Sequence, residues 1–266
     1  MTPPPNAIWS LDTKHLGQRT KIYDCLDSTN TLALSFSHDP TQHGLVVLAR
    51  TQTAGRGQYG RIWQAAPNSS VLMSVLLFPP PTLHRPVLLT AWAAVSVCDC
   101  ISTLADLETA IKWPNDVLID GKKICGILIE QRTTGNADHP LATVVGVGFN
   151  VTQTAAMFDQ AGLPLAASLG SLSGKCFTCE DVARALIGQF DEEYRRLVDN
   201  DFASLEARWK RRLGLVGQTV VVEGTSQHHH GRLLDVTLAG LDLDVGADTP
   251  LRLLPESVRH LYAAER

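Results

Sequence analysis

This chain lacks a strong excess of charge of either sign. Its 266 residues carry 23 Lys and Arg against 27 Asp and Glu, a formal net charge of −4. That balance provides no basic field to hold nucleic acid by its phosphates. Long hydrophobic runs are scarce too, and none reads as the roughly 20 apolar residues of a membrane span. Pro3-Pro4-Pro5 interrupts any secretory signal at the start. The phosphate loop GxxxxGK followed by Ser or Thr is absent, and so is the GxSxG nucleophile elbow, which excludes a P-loop enzyme and disfavours an α/β-hydrolase. Gly146-Val-Gly148 lacks the third glycine and the following helix of a dinucleotide fold. Six cysteines occur, and Cys98 and Cys100 lie in an apolar helical run, as core thiols do. Cys176-Phe-Thr-Cys179 has CxxC spacing, but no second pair follows and no histidine stands at ligand spacing, so neither zinc nor redox chemistry is read there. The expectation is a reduced, cytoplasmic protein without a membrane span.

What is present centres on Thr53-Ala-Gly-Arg-Gly-Gln-Tyr-Gly-Arg-Ile-Trp63. Three glycines let the backbone approach a ligand closely. Arg56 and Arg61 supply planar forks that fit carboxylate and phosphate oxygens, and Trp63 offers a flat stacking face. Apolar strands, Leu45 to Leu48 and Val71 to Phe78, flank the run. It reads as a flexible anion-binding loop between two rigid strands; the plainer alternative is a glycine-rich surface loop.

Around this loop the chain reads as α+β with a mixed, largely antiparallel sheet. Residues 1–20 are a Pro-rich extension without a core of its own, too short for an N-terminal helix-turn-helix. Lys21 to Leu26 is a strand, and Asp27 to Asn30 offers N-cap oxygens to a short helix from Thr31 to Phe36. Pro86 to about Leu104 is the longest apolar helix. Asp120-Gly121 suits a type I′ turn between Val117–Ile119 and Ile124–Glu130. Ala142 to Phe149 is a further strand, and Gln153 to Gly174 is irregular. Thr178 with Asp181 caps a helix whose buried face is Val182, Leu186, Phe190 and Leu197. A second helix, Phe202 to Arg212, stops at Gly214. From Leu215 short strands and turns suggest a small barrel, dividing the chain into 21–214 and 215–266. His228-His229-His230 reads as a solvated turn.

Two further clusters carry chemistry. In Lys112-Trp-Pro-Asn-Asp116, Asn115 can read a base edge and Asp116 can hold a cation or orient a neighbour; an Asx turn at a strand end is the alternative. Lys123 opens an apolar strand and needs an anionic partner there, unless it is a solvated hairpin lysine as Lys122 is. Ser28-Thr29-Asn30 is either a helix cap or a polar binding surface at a helix start.

Taken in order, Gly55-Arg-Gly-Gln-Tyr-Gly-Arg-Ile-Trp63, Lys112-Trp-Pro-Asn-Asp116, Lys123-Ile-Cys-Gly-Ile-Leu-Ile-Glu130 and Gly146-Val-Gly-Phe-Asn150 resemble the biotin protein ligases, the biotin–acetyl-CoA-carboxylase ligases. The resemblance runs from about Ser28 to the C-terminus, and it is the series rather than any one motif that is specific. It implies a class II synthetase-like mixed sheet with helices and a small SH3-like C-terminal barrel. It implies substrates biotin and ATP with Mg²⁺, an intermediate biotinyl-5′-AMP, and transfer to a lysine of the biotin carboxyl carrier protein of acetyl-CoA carboxylase.

Residue by residue, the resemblance implies that Ser28, Thr29, Asn30 and Gln52 contact the biotin ring system. It places Gly55, Arg56 and Gln58 in the loop over the biotin carboxyl side, with Gly126 letting the adenylate pass. Arg61, Trp63, Asn115, Gly146 and Asn150 fall on the nucleotide side, Trp63 against the adenine. Asp116 is the metal or ordering position, and Lys123 with Arg56 is catalytic. Some relatives have arginine where this chain has Gln58. The expected protein is a monomer or weak homodimer that binds neither DNA nor membrane. Lipoate ligation or octanoyl transfer on a similar fold, and a non-catalytic biotin or nucleotide sensor, are the rival readings.

Overall fold

The computed structural model describes residues 3–224 and 227–264. Its elements are β1 (Ala7–Trp9), β2 (Thr20–Leu26), α1 (Thr29–Leu34), β3 (Val46–Gln52), β4 (Ser70–Leu77), α2 (Pro86–Ala105), β5 (Ala110–Lys112), β6 (Asp116–Ile119), β7 (Lys122–Thr133) and β8 (Leu141–Asn150). Then come α3 (Ala155–Gln160), α4 (Leu169–Ser173), α5 (Cys179–Val198), α6 (Phe202–Leu213), β9 (Thr219–Gly224), β10 (His228–Val236), β11 (Leu241–Asp244), β12 (Leu251–Leu253) and β13 (Val258–Ala263).

Eight strands form one sheet in the order β1-β2-β3-β4-β8-β7-β6-β5. Only β2 and β3 run parallel; every other pair is antiparallel. Strand alternation divides the side chains between two faces. In β4 and β8 the odd-numbered Val71, Met73, Val75, Val145, Val147 and Phe149 join the core built on α2. The even-numbered Leu76 and Val144 pack in a second cluster with Leu32 and Leu34 of α1. The helices α2 and α5 meet through Trp92, whose ring centroid lies 4.7 Å from Phe190 and 5.7 Å from Tyr194. The aligned tail β9–β13 forms a separate antiparallel sheet in the order β12-β11-β10-β9-β13.

Four expectations need correction. At 20 residues and mean hydropathy 1.8, α2 is long and apolar enough to cross a membrane, but 72% of that stretch is buried inside the protein, as suits a core helix. Residues 3–20 pack on the main sheet rather than standing apart: β1 pairs with β2, and Leu16 is fully buried. The Asp191 carboxylate accepts backbone N–H bonds from Lys14, His15 and Leu16 at 2.9, 2.6 and 2.8 Å, which fastens this segment to α5. The histidine triplet opens β10 instead of forming a turn. The stretch after Gln153 contains α3 and α4, the latter held by a capping box between Ser168 and Ser171.

Other local features follow from the residues named above. Asp120 and Gly121 both take positive φ, 49° and 74°, as a type I′ turn requires. The Thr178 hydroxyl accepts from Asp181 N and starts α5, and Gly214 ends α6 in the left-handed region. Burial pushes the thiols of Cys98 and Cys100 up to about 11 and about 12, so both are inert core groups. Cys176 and Cys179 are free, and burial raises Cys179 to about 11, against a thiolate role for the pair.

Candidate active site

A cavity of about 380 Å³ opens on the α1 side of the main sheet. Its floor is made where β7 and β8 turn glycines to that face, with Gly126 directly opposite Gly148 and Leu128 opposite Gly146. These glycines are required by close approach. A Cβ on Gly146 would stand 2.9 Å from the side-chain carbon and nitrogen of the Asn30 amide. One on Gly148 would stand 2.6 Å from the Trp63 indole, and one on Gly126 2.9 Å from the same ring and 3.2 Å from Lys123 Nζ.

The inner end is polar and buried. The helix α1 starts two residues earlier than its sequence suggests, so Ser28 is the N-cap while Thr29 and Asn30 occupy the first turn. The Ser28 hydroxyl makes no capping bond, which leaves it available to a ligand. Thr29 N and Oγ1 both donate to Gln52 Oε1, at 2.7 and 3.0 Å. Ser74 Oγ lies 2.7 Å from Thr29 Oγ1 and 2.5 Å from Asn30 Oδ1. Asn30 Nδ2 donates to Glu130 Oε2 at 2.7 Å. Ser28, Thr29 and Asn30 are each less than 5% exposed.

Residues 55–63 form a short hairpin over the cavity. Arg56 bridges Ile62, Trp63 N donates to Gly55 O at 3.0 Å, and Gly57 N donates to Arg61 O at 2.7 Å. At the tip Tyr59 and Gly60 take positive φ, 56° and 75°. The tip reaches the second sheet: the Tyr59 ring lies 6.0 Å from His260 and 5.7 Å from the Arg259 guanidinium. His260 of β13 lines the cavity as well.

Mid-cavity stands Lys123. Its Nζ lies 2.7 Å from Asp116 Oδ1 and 5.5 Å from the Trp63 ring centroid. The Lys–Asp contact is close but off the hydrogen-bond direction, so Asp116 Oδ1 has no aligned donor. Lys123 thus has the anionic partner that its place at a strand start demands. Toward the outer end, Lys112 and Arg61 line the cavity, and among the described residues neither takes part in an ion pair. The arrangement is a buried ring of neutral hydrogen-bonding groups, a central lysine–aspartate pair, and an outer cationic end. That suits a ligand with a neutral polar head, a central carboxylate and a polyanionic tail.

The expected residues fall unevenly on this geometry. Ser28, Thr29, Asn30, Gln52, Arg56, Gln58, Arg61, Trp63, Asn115, Asp116, Lys123, Gly126, Gly146 and Asn150 all line the cavity. Gly55 stands behind it, where a Cβ would meet Trp63 O at 2.6 Å; its role is to let the hairpin close. Arg56 does not hold a free fork toward the centre. Its Nη1 donates to Thr31 Oγ1 at 2.7 Å, and its Nη2 reaches both Glu130 oxygens at 2.9 and 3.1 Å. Trp63 lies on the floor between the polar end and Lys123, with its Nε1 buried and unpartnered. Trp63 and Lys123 themselves occupy the space above Gly126. Asn115 Nδ2 donates to Ile127 O at 2.6 Å, which holds the hairpin. Asn150 is committed to Ser70, Gln153 and Ala167 O and retains one N–H.

Sequence reasoning assigned no role to Ser74, Glu130, Thr31, Lys112 or His260. For Glu130 a signal existed, since period-two alternation from Gly126 puts it on the site face of β7. Ser74 is a lone hydroxyl in the otherwise apolar middle of β4, which is a weaker signal of the same kind.

Comparison with known proteins gives the following. The profile of the Biotin/lipoate A/B protein ligase family matches residues 22–150. The chain is 31% identical over 258 residues to the bifunctional ligase/repressor BirA of Bacillus subtilis, covering 97% of this chain and 76% of that one. It is 34% identical over 217 residues to the biotin–[acetyl-CoA-carboxylase] ligase of Mycobacterium tuberculosis, covering 77% and 75%. The corresponding ligase of Paracoccus denitrificans is 30% identical over 207 residues, covering 76% and 85%. Among solved structures, the biotin protein ligase of Aquifex aeolicus in complex with biotin and ATP superposes with a TM-score of 0.75 at 21% identity, covering 92% of this chain and 99% of that one. That likeness establishes the shared fold, a mixed sheet with helices followed by a small β domain.

Proposed function

The chain belongs to the biotin protein ligases of the biotin/lipoate A/B protein ligase family, and from that membership we propose how its cavity works. It activates biotin with ATP to biotinyl-5′-AMP and then passes the biotinyl group to a lysine of a biotin carboxyl carrier protein, that of acetyl-CoA carboxylase. The observation that carries the reading is one continuous cavity joining a buried neutral polar end to Lys123 and to Lys112 and Arg61. A bicyclic urea has one carbonyl acceptor flanked by two N–H donors, and Ser28, Thr29, Asn30 and Gln52 supply partners of both kinds. A dithiolane ring would leave those buried groups unmatched, which is costly and favours biotin over lipoate.

In the first half-reaction a carboxylate oxygen attacks the α-phosphorus and pyrophosphate leaves. Two anions must meet, so positive charge at the meeting point lowers the barrier. Lys123 would supply it, with Asp116 Oδ1 2.7 Å from its ammonium. Lys112 and Arg61 line the same cavity and would neutralise the departing phosphates. Among the described residues no cluster of three metal-ligating side chains exists. Among the described residues Asp116 is the only carboxylate lining the cavity, and its Oδ1 has no aligned donor there. One carboxylate fits Mg²⁺, which takes few protein ligands and completes its shell with phosphate oxygens and water. The ion would add Lewis-acid neutralisation of the phosphates. In the second half-reaction the neutral amine of the acceptor lysine attacks the acyl carbon and AMP departs. No nucleophile from this chain is needed, and the hairpin at residues 55–63 shields the mixed anhydride from water. Biotin-dependent pyrophosphate release, followed by labelling of a carrier domain with biotin and not with lipoate, tests the reading. Lipoate-dependent labelling at the same rate would overturn it.

A further inference from the structure

The carboxylate of Glu130 touches both the lid and the ring pocket. On β7 it faces the site, with its side chain 29% exposed at the rim. One set of contacts goes to the Arg56 guanidinium of the hairpin. The other is the 2.7 Å bond from Asn30 Nδ2. A carboxylate in an ion pair only accepts hydrogen bonds, so it fixes which way the Asn30 amide is turned. The amide oxygen must then face Ser74 Oγ, 2.5 Å away. Ser74 has one proton, and with that proton given to Asn30 it has none for Thr29 Oγ1. Thr29 must therefore direct its own proton to Ser74 or to Gln52 Oε1, which leaves a lone pair on Thr29 for the ligand. Gln52 Oε1 is occupied by Thr29 N, so its amide nitrogen is the group left to donate. One charge at the rim thus fixes the Asn30 amide and, through Ser74, makes the Thr29 hydroxyl a donor within the network.

We propose that Glu130 is a positioning residue that fixes the donor–acceptor polarity of the ring pocket, and through it the choice of a urea over an analogue whose exocyclic group donates. This rests on the biotin-ligase reading of the cavity. The measurement is pyrophosphate release with biotin and with 2-iminobiotin, in which an imine nitrogen replaces the ureido oxygen, for the 266-residue protein and three variants. Glu130→Gln is isosteric, but its amide can present either end to Asn30. The ratio of kcat/KM for biotin to that for 2-iminobiotin is expected to fall at least tenfold, mainly through a higher KM for biotin with kcat little changed. Glu130→Asp keeps the charge and is expected to recover most of the ratio. Thr31→Val loosens only the second tether of Arg56 and is expected to keep the ratio. A ratio within threefold of wild type in Glu130→Gln would overturn the inference. So would an equal collapse in Thr31→Val, which would assign the effect to the lid. Absence of any biotin-dependent release by the wild-type protein would instead defeat the function itself.

Discussion

Replacing Gly146 by alanine places one methyl group where the Asn30 amide now sits. The added Cβ would stand 2.9 Å from two atoms of that amide and closer still to its oxygen, inside the separation that carbon atoms tolerate. Asn30 is 4% exposed and lies between α1 and the sheet, so it cannot swing out without giving up a partner. Its bond to the Glu130 carboxylate is charge-assisted, a class that contributes about 1.5–3 kcal/mol; the bond to Ser74 is neutral and contributes about 0.5–1.5 kcal/mol. Losing both removes roughly 2–4.5 kcal/mol of organisation from the ring pocket, or up to roughly 30- to 1,600-fold in biotin affinity at about 1.4 kcal/mol per tenfold. The same loss weighs on the fold, and it is offset only in part because alanine lowers the entropy of the unfolded chain by about 0.4–1 kcal/mol relative to glycine. Calorimetric titration of biotin should therefore show a Kd raised by at least about thirtyfold, together with a measurable fall in Tm. Gly148→Ala is the internal comparison, since its methyl group meets Trp63 and not Asn30. It should disturb the adenylate step more than the binding of biotin alone. A Kd for Gly146→Ala within threefold of wild type would refute the argument that Asn30 is fixed by close approach to the strand.

Three further outcomes are expected. Lys123→Ala should lower pyrophosphate release by about 10²–10³-fold, the size of a lost oxyanion-type donor, while biotin still binds; release at the wild-type rate would remove Lys123 from the chemistry. Gln58→Arg adds one partly exposed cation to the hairpin wall of the cavity, and about 0.5–1 kcal/mol from such a charge should slow biotinyl-AMP release roughly two- to fivefold; an unchanged off-rate rejects this. His43 accepts from Phe78 N through Nδ1, and burial, reinforced by His15 and His139, lowers its pKa from 6.5 to about 4. The unfolded chain then binds the proton first, so stability is complete above about pH 6.5 and falls by about 3 kcal/mol as the pH drops to about 4. Urea titrations of wild type and His43→Gln should differ in slope across that window, and identical slopes would count against the buried neutral ring.

The floor of the site was legible in the sequence for a physical reason. Gly146-Val-Gly148 alternates with period two, so its valine packs into the core while its glycines open toward the ligand. The glycine–arginine loop and Lys123 were legible because both break a local rule, in one case glycine and charge between apolar strands, in the other a cation at the mouth of a buried one. The destination of Arg56 was not legible. Its partners Glu130 and Thr31 come from β7 and from the first turn of α1, and only the packing of the sheet brings these together. The same holds for the N-terminal segment. Pro-rich sequence suggested an extension without a core of its own, and three backbone N–H bonds to the Asp191 side chain decide its position; no sequence pattern encodes that distant acceptor.

Contacts from the second sheet complete the account of the hairpin. Val258 O accepts from Trp113 Nε1 at 3.1 Å, within the motif that supplies Asn115 and Asp116. Glu256 pairs with Arg85 at the start of α2 at 2.7 Å. The next residues, Arg259 and His260, face Tyr59 at the tip of the hairpin. One short segment therefore grips the catalytic sheet at fixed points and meets the loop at its tip. Tyr59 holds a positive φ of 56°, a conformation that costs a bulky residue energy unless its surroundings secure it. The Arg56–Glu130 pair secures the hairpin near its base, and the aromatic contact with β13 secures its tip. With both ends held, the covered cavity is defined jointly by the two sheets, which explains why His260, from the far end of the chain, lines a pocket otherwise built by residues before 170.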